Sequence, residues 1–158
     1  MNATIFKYAL LLAIVVAARG AGAWYFLAPP KTTPGEVPVL QEPGIIKGTT
    51  SYPSDFNPAQ RVCAQSVTDS SYERCADVPE QEGTVVPTFS IKVAPGTYQV
   101  YAFLKDPSEL GLDESRRAYW TEFVRCGMTT DCTDHARLDV VVGAAAAVVD
   151  IRPQDWYQ

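Results

Sequence analysis

Apolar and polar residues alternate most clearly between Thr84 and Leu104. Alternation with a period of two is typical of β-strands that bury one face. Pro95 and Gly96 suit the central positions of a type II turn over residues 94–97, because proline fixes its φ and glycine tolerates a positive one. The stretch therefore predicts two strands joined as a central hairpin. The residues expected on the buried faces are Phe89, Ile91 and Val93 in the first strand and Tyr98, Val100, Ala102 and Leu104 in the second.

Five further segments have a strand-like pattern, and turn residues separate them at regular spacing. These segments are Gly44 to Pro53, Val62 to Val67, Tyr72 to Val78, Arg137 to Val142 and Ala144 to Ile151. The last two are separated only by Gly143, which predicts a closing hairpin. About seven strands in this arrangement predict an all-β sandwich over residues 44–158.

The rhythm changes after Leu104. Tyr119 and Phe123 are four residues apart, as are Trp120 and Val124, and this spacing is typical of one face of a helix. We expect a loop and then a short helical insert, which begins at about Asp113 and ends at Gly127.

The N-terminal residues 1–27 form a long apolar segment that contains Arg19. A bilayer span needs about 20 residues, so we expect a transmembrane signal-anchor helix with the amino terminus inside. Trp24 and Tyr25 would lie in the outer interfacial region, and Arg19 would contact a membrane partner. The alternative is a secretory signal peptide that is cleaved after Ala23.

Residues 28–43 hold five prolines and predict an extended linker. The chain after position 28 is acidic, with eleven basic and eighteen acidic residues and a net charge of −7. This charge argues against nucleic acid or an anionic lipid surface as the partner of this region.

Four cysteines, Cys63, Cys75, Cys126 and Cys132, all follow the linker. An even number of cysteines behind an apolar N-terminal segment is typical of disulfides formed in an oxidising compartment. Cys63 and Cys75 fall on the wetter faces of neighbouring strands, where they would form a cross-strand bridge, and Cys126 and Cys132 would then close a small loop. The alternative, a four-ligand zinc site, lacks the C-x-x-C pairs that such sites use.

Three segments carry a resemblance to a known fold. They are GIIKGTTSYP from residue 44, FSIKVAPGTYQVYAFL from residue 89 and LDVVVGAAAAVVDI from residue 138. The opening G-x-x-x-G strand, the P-G-x-Y-x-V run and the closing apolar segment resemble the prealbumin-like (transthyretin-like) sandwich of carboxypeptidase-regulatory-type domains, as in uncharacterised secreted bacterial proteins. The resemblance implies a fold more than a function, because this sandwich serves carriers, adhesion modules and a few enzymes.

The enzymes of that fold need residues that this chain lacks. A dioxygenase-like iron site needs two histidines and two tyrosines, and hydroxyisourate hydrolase-like activity needs several histidines, whereas His135 is the only histidine here. An isopeptide cross-link would need a buried lysine, whereas Lys47 and Lys92 fall on polar faces. We therefore expect a protein without enzymatic activity and without a cofactor.

Two polar groups offer weaker candidate sites. Asp131, Asp134 and His135 lie within DCTDH and could ligate a cation; turn capping by the aspartates, with an ordinary polar contact for the histidine, is the favoured interpretation. A second acidic group stands beside two arginines and is explained as well by a solvated loop with local ion pairs. Its residues are Glu109, Asp113, Glu114, Arg116 and Arg117.

Four aromatic residues are candidates for an interaction surface. Alternation places Tyr101 and Phe103 on the outward face of the second central strand, where the helical insert is expected to cover them; left uncovered, they would form a patch for a partner. Trp156 and Tyr157, near the C-terminal end, allow the same two interpretations.

Together these features predict a non-enzymatic accessory subunit in the bacterial inner membrane. Its single helix would contact integral membrane protein subunits of a larger complex, of the respiratory or photosynthetic type, and its sandwich would be displayed in the periplasm. The alternative function is a secreted or tethered module that binds a ligand or a glycan.

Overall fold

The computed structural model describes residues 41–83 and 85–157, without the side chains of residues 109 and 110. The predicted helix over residues 1–27 and nearly all of the predicted linker lie outside these residues, and so do Arg19, Trp24 and Tyr25. Within the described part of the chain, no helix combines the length and the apolar character that a membrane span requires.

The described residues form an all-β fold, as predicted, with ten strands and two short helices. Seven strands have four or more residues and correspond to the seven predicted ones, whereas β2, β5 and β8 are two-residue strands that the pattern does not reveal. The elements are β1 (Gly44–Thr49), β2 (Phe56–Asn57), β3 (Gln60–Ser66), β4 (Glu73–Val78), β5 (Gln81–Glu82), β6 (Thr88–Val93), β7 (Gly96–Leu104), a 3-10 helix (Pro107–Leu110), β8 (Ala118–Tyr119), α1 (Glu122–Arg125), β9 (Asp139–Val142) and β10 (Ala147–Ile151).

Two sheets account for the longer strands. A three-stranded sheet has the order β10-β1-β6, and a five-stranded sheet has the order β4-β3-β7, with β8 and β9 both paired to β7. Strands β1 and β10 are parallel, and the other pairs are antiparallel. Strands β2 and β5 form a separate two-stranded sheet.

The two larger sheets pack face to face over one hydrophobic core. The side chains that the longer strands direct into this core are at most 6% exposed, and they include every residue that alternation placed on a buried face. They are Ile46, Phe89, Ile91, Val93 and Ile151 from the three-stranded sheet and Val62, Ala64, Tyr98, Val100, Ala102, Leu104, Val140 and Val142 from the five-stranded sheet. Burial of these side chains is the main source of stability for such a fold.

The predicted central hairpin is wrong, because β6 and β7 belong to different sheets. Strand β6 pairs with β1 and strand β7 with β3, so residues 94–95 carry the chain from one sheet to the other. The type II turn is also wrong, since Gly96 does not adopt a positive φ. Two hydroxyl groups fix this crossing: Tyr98 donates to the carbonyl oxygen of Ala94 (2.7 Å), and Tyr72 accepts from the Ala94 N–H (3.0 Å).

The predicted closing hairpin is wrong for the same reason. Strand β9 pairs with β7, and β10 pairs with β1 in parallel, so the chain changes sheet again between Val142 and Ala147. Strand β10 begins at Ala147 instead of Ala144, and Ala145 has a positive φ of 54° within the crossing. The alternation of apolar and polar residues shows which side chains are buried. It cannot distinguish a hairpin from a crossing between sheets, because the same side chains are buried in both arrangements.

The helical insert is shorter than predicted. Strand β8 occupies residues 118–119, and α1 begins only at Glu122. The Thr121 hydroxyl caps the helix by accepting from the Val124 N–H (3.4 Å), and Gly127, with a φ of 94°, follows its end as predicted.

The aromatic residues of the insert explain why the helix starts late. Tyr119 pairs with Tyr101 across β8 and β7, and the neighbouring Trp120 enters the core with 9% of its surface exposed. Phe123 instead packs against the ring of His135 (4.6 Å between centroids). The four-residue spacing therefore arises from an edge strand followed by one turn of helix, and not from one helical face.

Gly44 and Gly48 of β1 are required by the close approach of β10 and the segment before it. A Cβ atom at Gly48 would lie 1.7 Å from the carbonyl oxygen of Ile151, and one at Gly44 would lie 2.3 Å from Val142 Cγ1. Strand β10 also contains one more residue than β1 between their paired positions, with Asp150 at a positive φ of 62°, which is a β-bulge. The G-x-x-x-G pattern therefore reflects the close packing of β1 against β10 and against the segment from Val142 to Ala146.

Candidate functional site

The solvent side of the five-stranded sheet concentrates the polar and aromatic chemistry of the fold. We call this surface the outer face; its residues are Arg61, Cys63, Glu73, Cys75, Asp77, Tyr101, Phe103 and Tyr119. Strand register places them in cross-strand rows, in which Asp77 pairs with Arg61 and Arg61 with Phe103, and Cys75 pairs with Cys63 and Cys63 with Tyr101. Side chains in such rows are close enough to contact one another.

A disulfide joins Cys63 of β3 to Cys75 of β4, with an S–S distance of 2.04 Å. The predicted pairing is present, but the predicted wet environment holds only for Cys75, because Cys63 is 0% exposed between Cys75 and Tyr101. Glu73 lies close to both sulfur atoms. The sulfurs are bonded to each other, so they are not thiolates and this group does not offer a metal site. The second predicted disulfide, between Cys126 and Cys132, closes the loop after α1.

Three aromatic rings lie side by side on the outer face. The Tyr101 ring centroid is 6.2 Å from that of Phe103 and 5.6 Å from that of Tyr119. The Tyr101 hydroxyl donates to the Glu73 carboxylate. Burial, and then this carboxylate, raise the pKa of the Tyr101 hydroxyl, so it remains a donor at neutral pH.

The insert covers these rings only in part. As expected, Tyr119 contacts Tyr101, and the Arg117 guanidinium lies 4.4 Å above the centre of the Phe103 ring. Trp120 and Phe123 do not contribute, because they contact the core and His135 respectively. Both Tyr101 and Phe103 stay half-buried and remain accessible from solvent.

An ion-pair group borders the rings. Asp77 accepts from Arg61 Nε (2.7 Å) and from Lys105 Nζ (3.3 Å). The hydrogen bond from Arg61 is the main cause that lowers the pKa of the Asp77 carboxyl. These side chains are exposed, so the pairs add little to stability, but they fix the orientation of charges on the outer face.

A polar cleft adjoins the outer face at Tyr119. This arginine cleft has a volume of about 540 Å³ and is lined by Asp113, Ser115, Arg116, Arg117, Tyr119 and Arg137. The Arg137 guanidinium lies 3.6 Å above the centre of the Tyr119 ring, within the range of a cation–π contact.

The sequence predicted local ion pairs between acidic residues and arginines in this loop. The described side chains of Asp113 and Arg117 instead form hydrogen bonds with the backbone. Asp113 accepts from the backbone N–H of Ser115 (2.7 Å), and this bond is the main cause that lowers the pKa of Asp113. Arg117 donates to the backbone carbonyls of Glu114 (2.7 Å) and Arg116 (3.1 Å). Among the side chains that the structure describes, neither Arg116 nor Arg117 forms a salt bridge.

The DCTDH segment does not assemble the weak cation site. Within the described residues, Asp131, Asp134 and His135 do not bring three ligand atoms together. Asp134 accepts from the Ala136 N–H (2.8 Å), which is the capping role favoured above. His135 Nδ1 instead lies 2.7 Å from Oδ2 of Asp155, a residue that the spacing of the loop could not indicate.

Asp155 is the centre of a buried polar network. Its side chain is 0% exposed, and it accepts from the Thr121 hydroxyl (2.9 Å) and from the Tyr157 N–H (3.3 Å). The backbone of Asp155 also pairs with Tyr119. The network therefore joins the C-terminal segment to β8, the strand that carries Tyr119.

The two C-terminal aromatic residues have different surroundings. Trp156 is 2% exposed, donates from Nε1 to the Ser51 carbonyl oxygen (2.8 Å) and packs edge-on against Tyr52. It is thus a core residue and does not belong to an interaction surface. Tyr157 is 62% exposed and stays available.

Comparison of the chain with protein-family models, with curated proteins and with solved structures finds no match. The resemblance to prealbumin-like domains therefore stays a prediction from the sequence.

Proposed function

We propose that this chain is a non-enzymatic accessory subunit that docks on a larger bacterial membrane complex of the respiratory or photosynthetic type. The helix over residues 1–27 anchors it in the inner membrane, and a prealbumin-like sandwich is displayed in the periplasm. The observation that carries the proposal is the outer face of the five-stranded sheet. Its aromatic and charged side chains are neighbours and are held in place by hydrogen bonds, ion pairs and a disulfide.

The composition of the outer face suits a docking surface. Tyrosine and arginine are enriched at the centres of protein interfaces, because they bury large areas and also donate hydrogen bonds. Here Tyr101 is held by Glu73 and Arg61 by Asp77, and the Cys63–Cys75 disulfide links the two strands beneath them. Because these side chains are already ordered, less conformational entropy is lost when a partner binds.

The chemistry of the described residues favours docking over catalysis. The single histidine is held against the buried Asp155, and the four cysteines form disulfides and so provide no thiolate nucleophile. Two disulfides also favour an oxidising compartment such as the periplasm.

The anchoring part of the proposal is tested by Arg19→Leu in the full-length chain. A charged side chain within a bilayer is costly unless it meets a partner, so we expect the variant to lose co-purifying membrane subunits in mild detergent. Arg19→Lys keeps the charge and serves as the matched control, which should retain most of them. Circular dichroism should report the same β content for both variants.

Intact mass of the native protein decides whether the anchor is kept. The proposal predicts a mass that includes residues 1–23, together with co-purifying integral membrane proteins. A mature chain that starts at Trp24 and behaves as a free monomer would contradict it, as would unchanged co-purification of Arg19→Leu.

The arginine cleft favours a second candidate function, a secreted or tethered module that binds a ligand or a glycan. Ligand-binding sites are concave and contain convergent polar groups; the cleft of about 540 Å³ is concave and carries several of them. It predicts cleavage after Ala23 in the secreted form, so the same mass measurement separates the two candidates.

A further inference from the structure

We infer that the arginine cleft binds a small oxyanion, a phosphate or carboxylate group carried by a soluble ligand. The cleft adjoins the docking surface at Tyr119, but binding of an oxyanion there needs no partner protein, and the cleft would be present whether the chain is anchored or released.

Two distant segments supply the positive charge of the cleft. Arg116 and Arg117 precede β8, whereas Arg137 follows the loop closed by Cys126 and Cys132. An isolated backbone bridge between Thr121 and Arg137 brings the second segment to the first. Three guanidinium groups thus line one concavity, although the chain after position 28 has a net charge of −7.

Aromatic rings hold two of the guanidinium groups in place. Arg137 stacks on Tyr119 (3.6 Å) and Arg117 on Phe103 (4.4 Å). A stacked guanidinium uses its flat face for the ring and keeps its N–H donors in its own plane, where they match the oxygens of a carboxylate or phosphate. Arg117 already donates from Nη1 to the carbonyls of Glu114 and Arg116, so a ligand would use its remaining N–H groups. The side chain is therefore ordered before a ligand arrives, which lowers the entropic cost of binding.

The cleft arginines carry more positive charge than the cleft carboxylate offsets, because three guanidinium groups and one aspartate line it. Elsewhere, Arg61 is paired with Asp77 and Arg125 with Glu122. By contrast, none of the three cleft arginines forms a salt bridge with a described carboxylate. Asp113 also lines the cleft, where it accepts from the Ser115 N–H and interacts electrostatically with Arg117. It offsets about one of the three positive charges and leaves the cleft positive.

The surrounding charge selects the size of the ligand. A net charge of −7 repels anionic polymers and anionic membranes at long range, whereas within about 8 Å, one Debye length at physiological salt, the local arginines dominate. This combination favours a small anion that can enter the cleft over an extended anionic surface.

The test is calorimetric titration of the full-length chain, in nonionic detergent, with inorganic phosphate and with citrate at constant ionic strength. Because a hydrogen bond to a charged group is lost, Arg137→Gln should weaken binding by about tenfold or more. Arg116→Gln should weaken it as well, and among the described residues it removes no cation–π contact. The matched control is Arg74→Gln, which removes another stacked arginine, 4.7 Å above Tyr72 and outside the cleft, and should change affinity less than twofold.

Three outcomes would overturn the inference. They are the absence of binding of either anion by the wild-type chain, equal weakening by Arg74→Gln and Arg137→Gln, or arginine-dependent binding to phosphatidylglycerol vesicles without binding of phosphate or citrate. The titration needs no partner protein, so its failure would leave the docking proposal standing.

Discussion

The two packed sheets share one core but differ on their solvent sides. The three-stranded sheet exposes polar and small apolar side chains such as Lys47, Ser90, Lys92 and Val149, with no disulfide or aromatic ring pair among its described residues. The five-stranded sheet instead carries the outer face, with a disulfide, three neighbouring rings and a two-cation ion-pair group.

The two sheets are also held together differently. The three-stranded sheet depends on glycine positions where β1 and β10 approach without room for a side chain. The five-stranded sheet depends on side chains that link distant segments, such as Tyr101 to Glu73 and Thr121 to Asp155. We infer that one sheet mainly supports the fold, whereas the other has been elaborated as a surface for contact.

The largest effect is expected where the three-stranded sheet has no space. In Gly48→Ala the new methyl group would lie 1.7 Å from the Ile151 carbonyl oxygen, and backbone cannot move aside without opening the sheet. We expect a loss of more than about 3 kcal/mol, the upper end of ordinary overpacking, in urea unfolding of the full-length chain.

Gly143→Ala is the matched control for this change. Its Cβ would lie 3.6 Å from the Ala146 Cβ, which is ordinary contact, so the change should stay within about 0.5 kcal/mol. Equal stabilities of the two variants would show that close backbone packing does not govern the three-stranded sheet.

A medium effect is expected at the edge of the five-stranded sheet. Asp155→Ala removes the buried acceptor of Thr121 and the partner of His135, and an unsatisfied buried donor costs about 1–3 kcal/mol. We expect a loss of about 2 kcal/mol by urea unfolding. Asp134→Ala removes an exposed carboxylate with one backbone contact and should cost less than about 1 kcal/mol; the reverse order would contradict the assigned network.

The smallest effect concerns the pH dependence of the outer face. The pKa of Tyr101 is raised in the folded state, so the stability that it contributes is present below its unfolded pKa of about 10. That contribution is lost as pH rises through the folded pKa, because the unfolded state releases the proton first. Tyr101→Phe should therefore lose stability less steeply than wild type above pH ~10, in urea unfolding series. Tyr157→Phe, at an exposed hydroxyl-bearing ring, should follow wild type; parallel curves for Tyr101→Phe and wild type would contradict the assignment.

The sequence predicts the strands and their buried faces, because alternation follows directly from the geometry of a strand beside a core. It does not predict which strands pair. The pattern predicted a hairpin of β6 and β7, whereas in the structure these strands belong to different sheets. The Cys63–Cys75 bridge was predictable because those two strands are adjacent in both the sequence and the sheet.

The candidate site was less accessible to sequence reasoning. Arg137 reaches the cleft through a bridge to Thr121, and Asp155 reaches His135 across 20 positions. Neither contact follows from a local spacing rule. Trp156 was a candidate surface residue because it lies near the end of the chain. Its burial follows from contacts with Ser51 and Tyr52, which are about 100 positions away in the sequence and which no local pattern indicates.

The most direct test of the docking surface is site-specific photo-crosslinking in native membranes. A photoreactive phenylalanine analogue is placed at position 103 on the outer face or, as the matched control, at the exposed position 149 on the three-stranded sheet. The account predicts covalent adducts with an integral membrane protein from position 103 and none from position 149. Adducts from position 149 alone, or equally from both positions, would contradict it.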